Sequence, residues 1–234
     1  KRKVEFVDNL KSNIKNNLKN KKNFNLVISK SGNTLETLTN ANLLLKKNDY
    51  NVFITQRNPS YLRSLAEKMK AEIIDHNNFI GGRYSVLSEV GMLPACLVGL
   101  HEKKFKQYNN LIKNKNFVNA LVKNVSNILF FIKQKKFNSV IINFDENSND
   151  FFKWYQQLIS ESLGKKQKGI FPLISTMPKD NHSLMQLYLD GPKKNFYTFF
   201  SVNNKNSIKL KSSELMQSHL FLKNKSVNDI LKSQ

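Results

Sequence analysis

At 234 residues and 40% hydrophobic composition, the chain can bury the core of one large or two small domains. Its net charge of +21 comes from lysines scattered among asparagines, as in Lys19-Asn20-Lys21-Lys22-Asn23, with no recognisable reading module, so a nucleic-acid partner is not expected. No apolar run is long enough to span a membrane and no apolar signal core follows Lys1-Arg2-Lys3; with Cys96 as the single cysteine, a reducing cytoplasmic setting is expected.

In chain order, Val4 to Val7 reads as a strand, followed by a polar helix-like stretch from Asp8. Phe24 to Ser29 is a buried strand. Thr34 to Lys46 is a helix, with Leu35, Leu38, Ala41, Leu44 and Leu45 at helical spacing. Asn51 to Thr55 is a strand, Pro59 opens the next helix, and Ala71 to Asp75 is a third strand. Beyond Gly99, helical stretches near Glu102 to Lys113 and Phe117 to Lys135 lead into a strand, Ser139 to Phe144. A helix from Asn149 to Leu163 is stopped by Gly164, and another runs from His182 to Leu189, ahead of Gly191-Pro192. Phe196 to Val202 is the last predicted strand. Strands alternating with helices argue for parallel sheets, with a boundary between two α/β units near residue 100.

Four segments carry chemistry. Ser29-Lys30-Ser31-Gly32-Asn33-Thr34 joins a strand end to a helix start, where backbone N–H groups and the helix dipole favour an anion such as phosphate. Plain N-capping by Thr34 or Asn33 is the alternative. Gly81-Gly82-Arg83-Tyr84-Ser85 places one of only four arginines, Arg2, Arg57, Arg63 and Arg83, behind two glycines. A guanidinium there suits an oxyanion, and a turn followed by a surface arginine is the plainer reading. Glu161 falls in the last turn of its helix, four residues after Gln157 on the same face. A carboxylate in that position suits transfer of a proton to and from carbon, or is an exposed glutamate balanced by Lys165 and Lys166. His182, at a helix start, is a possible proton shuttle. The spacing of His, Cys and Asp residues resembles no zinc site.

VISKSGNTLET (Val27 to Thr37), GGRYSVLSEVG (Gly81 to Gly91), QLISESLGK (Gln157 to Lys165) and HSLMQLYLDGP (His182 to Pro192) stand in the order found in the glucose-6-phosphate isomerase family, which the chain resembles over nearly its whole length. The resemblance implies an α/β protein of two doubly wound parallel-sheet domains of the sugar isomerase (SIS) type, over residues 1–100 and 101–234. It implies an intramolecular oxidoreductase that interconverts glucose 6-phosphate and fructose 6-phosphate. Ser29, Lys30, Ser31, Gly32, Asn33 and Thr34 would hold the substrate phosphate and Gln157 would contact sugar hydroxyls. Glu161 would carry hydrogen between C2 and C1, Arg83 would steady the cis-enediolate, and His182 would help open the ring from the neighbouring subunit of a homodimer. No metal or organic cofactor is implied. The family's glycine- and serine-rich loop before the first strand and its lysine near the C-terminus have no counterpart, so a fragment incomplete at both ends is expected. The alternative is a non-catalytic sugar-phosphate-binding regulatory module on the same fold.

Overall fold

The computed structural model describes residues 4–10, 22–204, 206–210, 222 and 224–233. They form two compact units, Lys1–Val118 and Asn119–Gln234. Residues 4–10 adopt no regular structure, so the strand expected at Val4 to Val7 is not formed. The helix-like stretch expected from Asp8 lies, beyond Leu10, outside the described residues.

In the first unit, β1 (Phe24–Ile28), α1 (Leu35–Leu44), β2 (Tyr50–Thr55), α2 (Tyr61–Met69) and β3 (Glu72–Asp75) make two successive crossovers. The strands are parallel in the order β1-β2-β3. The chain steps the same way twice, and right-handed crossovers then put both helices on one face. Packing agrees: Phe53 of β2 is fully buried against Ala41 of α1 and Leu62 and Ala66 of α2. Val27, Phe53 and Ile73 are in register across the three strands, so one apolar row serves both helices. The two alanines at the contact let the helix backbones approach the ring closely. After β3, a 3-10 turn (Gly82–Leu87) leads into α3 (Glu89–Leu97), then α4 (Glu102–Lys106).

Helix α5 (Lys115–Lys133) contains the boundary between the units, later in the chain than the expectation near residue 100. The second unit continues with β4 (Asn138–Asn143), α6 (Asn149–Leu163), β5 (Phe171–Thr176), α7 (Met185–Asp190), β6 (Asn195–Phe200) and α8 (Val227–Ser233). Its parallel order, β5-β4-β6, reverses direction once. The same handedness rule now sends α6 and α7 to opposite faces. Tyr155 of α6 bonds Ser139 on one face of β4, whereas Val140 and Ile142 on the other face pack against Met185 and Tyr188 of α7. The second sheet is therefore covered on both sides, and the whole is the expected α/β fold built on two small parallel sheets.

Strand β5 was not anticipated, because Pro172 interrupts its apolar run. The proline is accommodated at a sheet edge. Phe171 donates its N–H to Phe137 across the β4 side, so the neighbouring position 172 turns its nitrogen to the open edge, where no donor is needed.

Candidate active site

All three carboxyl-end loops of the first sheet are tied together. The loop after β1 turns at Gly32, whose φ is +66°. A Cβ there would lie 2.2 Å from Ser60 Oγ, so glycine is required both by the backbone and by the approach of the α2 N-terminus. Leu62 N–H donates to the Gly32 carbonyl at 3.0 Å and Gln56 N–H to the Lys30 carbonyl at 3.1 Å. Ser29 is buried, accepts from Gly32 N–H at 3.2 Å and pairs with Thr34 Oγ1 at 2.9 Å. Ser31 and Thr34 are exposed.

The alternative of side-chain capping is not realised. Thr34 occupies the N-cap position of α1 but makes no side-chain cap bond, because its hydroxyl is engaged by Ser29. Asn33 instead accepts from Tyr61 N–H at 3.1 Å, bridging to α2. The ten-residue α1 thus begins without a capping side chain, at the carboxyl end of a parallel sheet, beside exposed hydroxyls. An anion could supply the missing acceptor. Glu36, in the first turn, is the acidic residue such an anion would have to tolerate.

The Lys30 side chain reaches across to the loop after β3, donating to the carbonyls of Asn78 at 3.1 Å and Ile80 at 2.7 Å. Ile80 immediately precedes Gly81-Gly82, so the loop after β1 and the Arg83 turn are one connected assembly. Arg83 is partly buried, and its guanidinium carbon lies 4.6 Å from the centre of the Tyr84 ring. The turn is braced internally by Tyr84 N–H to Gly81 O and by the Ser85 hydroxyl to Gly82 O at 2.6 Å. Ser88 then caps α3, accepting from Val90 N–H. Nearby, an open cavity of about 380 Å³ is lined by Arg57, Asp75, His76, Asn77, Asn78, Phe79 and Glu89. Asp75 is gripped by Arg57 at 2.7 Å and Arg63 at 2.9 Å, and these bonds hold its carboxyl below the usual carboxylate range.

In the second unit, Gln157 and Glu161 lie on the exposed face of α6, and the Gln157 amide donates to the Glu161 carboxylate at 2.9 Å. Gly164 ends the helix, its N–H reaching the Ser160 carbonyl. His182 does not start a helix. It sits in a turn after the cis Met177-Pro178 bond, and α7 begins only at Met185. The cause is Asp180, whose carboxylate accepts from Thr176 N–H at 2.7 Å and from the hydroxyls of Ser175 and Ser183, holding residues 179–184 against the end of β5. Sequence reading missed Asp180, although a short acid between Ser/Thr-rich flanks is a turn signal. It also passed over His76, which is only 2% exposed and bonds Glu89 and Ile80 through its two ring nitrogens. A histidine following a strand carries no periodic signal that would have singled it out. Among the described residues, no group of three or more His, Cys, Asp or Glu could hold a metal ion, and no helix is long and apolar enough to cross a membrane.

Residues 1–170 match the sequence profile of the family described as Phosphoglucose isomerase. The chain is 40% identical to the glucose-6-phosphate isomerase of Methanocaldococcus jannaschii over 186 residues, 74% of this chain and 46% of that protein. It is 32% identical to the glucose-6-phosphate isomerase of Mycoplasmoides gallisepticum, over 98% of this chain and 60% of the relative. The chain thus spans about half the length of the curated relatives it matches. They are named as isomerases, which replaces the oxidoreductase wording of the expected class. Among solved structures, a Thermus thermophilus protein described as hypothetical superposes with a TM-score of 0.75 at 24% identity, covering 89% of this chain and 54% of that one. A glucose-6-phosphate isomerase from Chlamydia trachomatis gives 0.62 at 20% identity, with 89% and 43% covered; both support the fold. With the family profile matched over residues 1–170, well over half of its length, the chain belongs to the phosphoglucose isomerase family.

Proposed function

We propose that the protein containing this chain interconverts glucose 6-phosphate and fructose 6-phosphate through a cis-enediolate. The observation that carries the reading is the union of an uncapped, hydroxyl-flanked helix N-terminus with the Arg83 turn through Lys30. The start of α1, with Ser31, Thr34 and the backbone of Lys30 to Thr34, grips the phosphate; Ser29 and Gly32 shape that loop from within, and Lys30 acts by holding Ile80. Binding energy from the phosphate then fixes a reacting centre at a distance. The Glu161 carboxylate removes the C2 proton of the open-chain aldose; the electron pair forms the C1–C2 double bond and the carbonyl becomes an oxyanion. Arg83 stabilises that charge, the O2 proton passes to O1, and Glu161 returns its proton to C1 as the C2 carbonyl forms. Gln157 orients Glu161 and meets sugar hydroxyls. His182 assists ring opening, contributed across the interface of a cytoplasmic homodimer built of SIS-type domains.

In the intact polypeptide, Glu161→Gln should abolish exchange of the substrate C2 hydrogen with solvent, followed by NMR in deuterium oxide, while fructose 6-phosphate still binds. Exchange at the parental rate would remove Glu161 as the base. Binding without any turnover by the unmodified protein would instead favour a non-catalytic sugar-phosphate sensor.

A further inference from the structure

The segment carrying Arg83 is closed at its base by a single imidazole. His76 follows β3 and is almost wholly buried. Its Nε2 lies 3.1 Å from the carbonyl of Ile80, the residue before Gly81, and its Nδ1 meets Glu89 Oε1, at the first position of α3. Ile80 and Glu89 flank the 3-10 turn on either side, so one ring grips both ends of the excursion that bears the guanidinium. The two ring nitrogens thus each meet an oxygen, one from either flank of the turn. Partial burial opposes the charged form of Glu89, but bonds from its own amide, the His76 ring and the Asn77 backbone hold its carboxyl below the usual range. The backbone is fixed at the same place by His76 N–H donating to Thr55 O at 2.9 Å, and Ile80 O also receives Lys30.

We propose that His76, braced by Glu89, is a positioning residue that sets the pose of the Gly81–Ser85 turn and so aims Arg83 at the reacting oxygen. The inference rests on the oxyanion role given to Arg83 above.

The test compares kcat and KM for fructose 6-phosphate in the intact polypeptide. Arg83→Ala is expected to lower kcat roughly a hundredfold. His76→Ala should lower kcat on the order of tenfold or more, with KM changed by less than about twofold. Adding His76→Ala to Arg83→Ala should cause little further loss, since no guanidinium is left to aim. Glu89→Gln, whose amide can donate to a singly protonated ring, should recover most of what Glu89→Ala loses. A normal rate for Arg83→Ala overturns the isomerase role of Arg83 itself. If Arg83→Ala is slow, the positioning role alone is overturned by an unchanged kcat in His76→Ala, by losses that multiply in the double variant, or by a Gln variant as slow as Glu89→Ala. Should His76→Ala fail to fold, Glu89→Ala decides by the same criteria, because the Glu89 side chain is 28% exposed and its loss opens no core cavity.

Discussion

Lys30 donates to the carbonyl of Ile80 at 2.7 Å, linking the loop after β1 to the residue that precedes the Gly81–Gly82 pair. Two segments fifty residues apart in the chain therefore share one ammonium as their hinge pin. Replacing Lys30 by Met keeps the stem and removes both bonds. The Lys30→Met variant of the intact polypeptide should lose turnover on the order of tenfold and bind fructose 6-phosphate more weakly, because the anion loop and the Arg83 turn become independent. Steady-state kinetics that match the parent would show that the link is ornamental.

Gly32 gives a second expectation, concerning stability as well as binding. A methyl group at this position meets Ser60 Oγ at 2.2 Å and Ser60 Cβ at 2.6 Å, and its φ of +66° is strained for any side chain. Gly32→Ala should destabilise the first unit by about 1–3 kcal/mol. Denaturant titration reads the loss directly. Phosphosugar affinity should fall in parallel, since Ser60 can yield only by shifting the start of α2. An unaltered midpoint would mean that the turn relaxes without penalty.

The clamp on Asp75 predicts a pH dependence. Hydrogen bonds from Arg57, and then from Arg63, depress its carboxyl below the ordinary value of 3.8. A depressed folded-state value means that the clamp stabilises fully above pH 3.8 and that the contribution vanishes as pH falls through the lowered value. Asp75→Asn should therefore melt below the parent near neutrality, and the gap should close towards strong acid. Added salt should narrow the gap as well, because Arg57 is 79% exposed. A gap that widens on acidification contradicts the assignment.

How much of this was legible in the sequence differs from element to element. Helix α6 was readable to the residue, because an apolar stripe runs unbroken to Gly164. Strands β1 to β3 were legible to within a residue at their ends, as short β-branched runs set between helical patterns, whereas the strand expected at Val4 to Val7 is not formed. Helix α3 was hidden, since Gly91 and Pro94 both argue against a helix. Tertiary packing overrides those propensities: a side chain at Gly91 would meet the Val86 carbonyl at 2.0 Å, so the glycine is there for the close return of the turn. The proposed site residues were picked out by motif resemblance, through segments that stand far apart in the chain. What the sequence could not reveal were partners chosen in three dimensions. Asn33 serves α2 and not α1, His182 is held in a turn by Asp180, and His76 gained its importance only when Ile80 and Glu89 arrived on either side of it.

The reversal of strand order in the second sheet raises the separation in sequence of the contacts it needs. In the first sheet, Asn25 meets Asn51 after 26 residues, and each strand joins the one made just before it. In the second, the chain leaving β5 must cross back over β4 to add β6 on its far side, and Asn138 finds Asn195 only after 57 residues. Closing the longer loop costs roughly 0.6 kcal/mol more per doubling of its length, and nothing repays that until β4 and its covering helices are in place. The phenylalanine-rich strand β6 is thus expected to dock late, and its arrival is what buries Phe196, whereas Phe199 stays largely exposed.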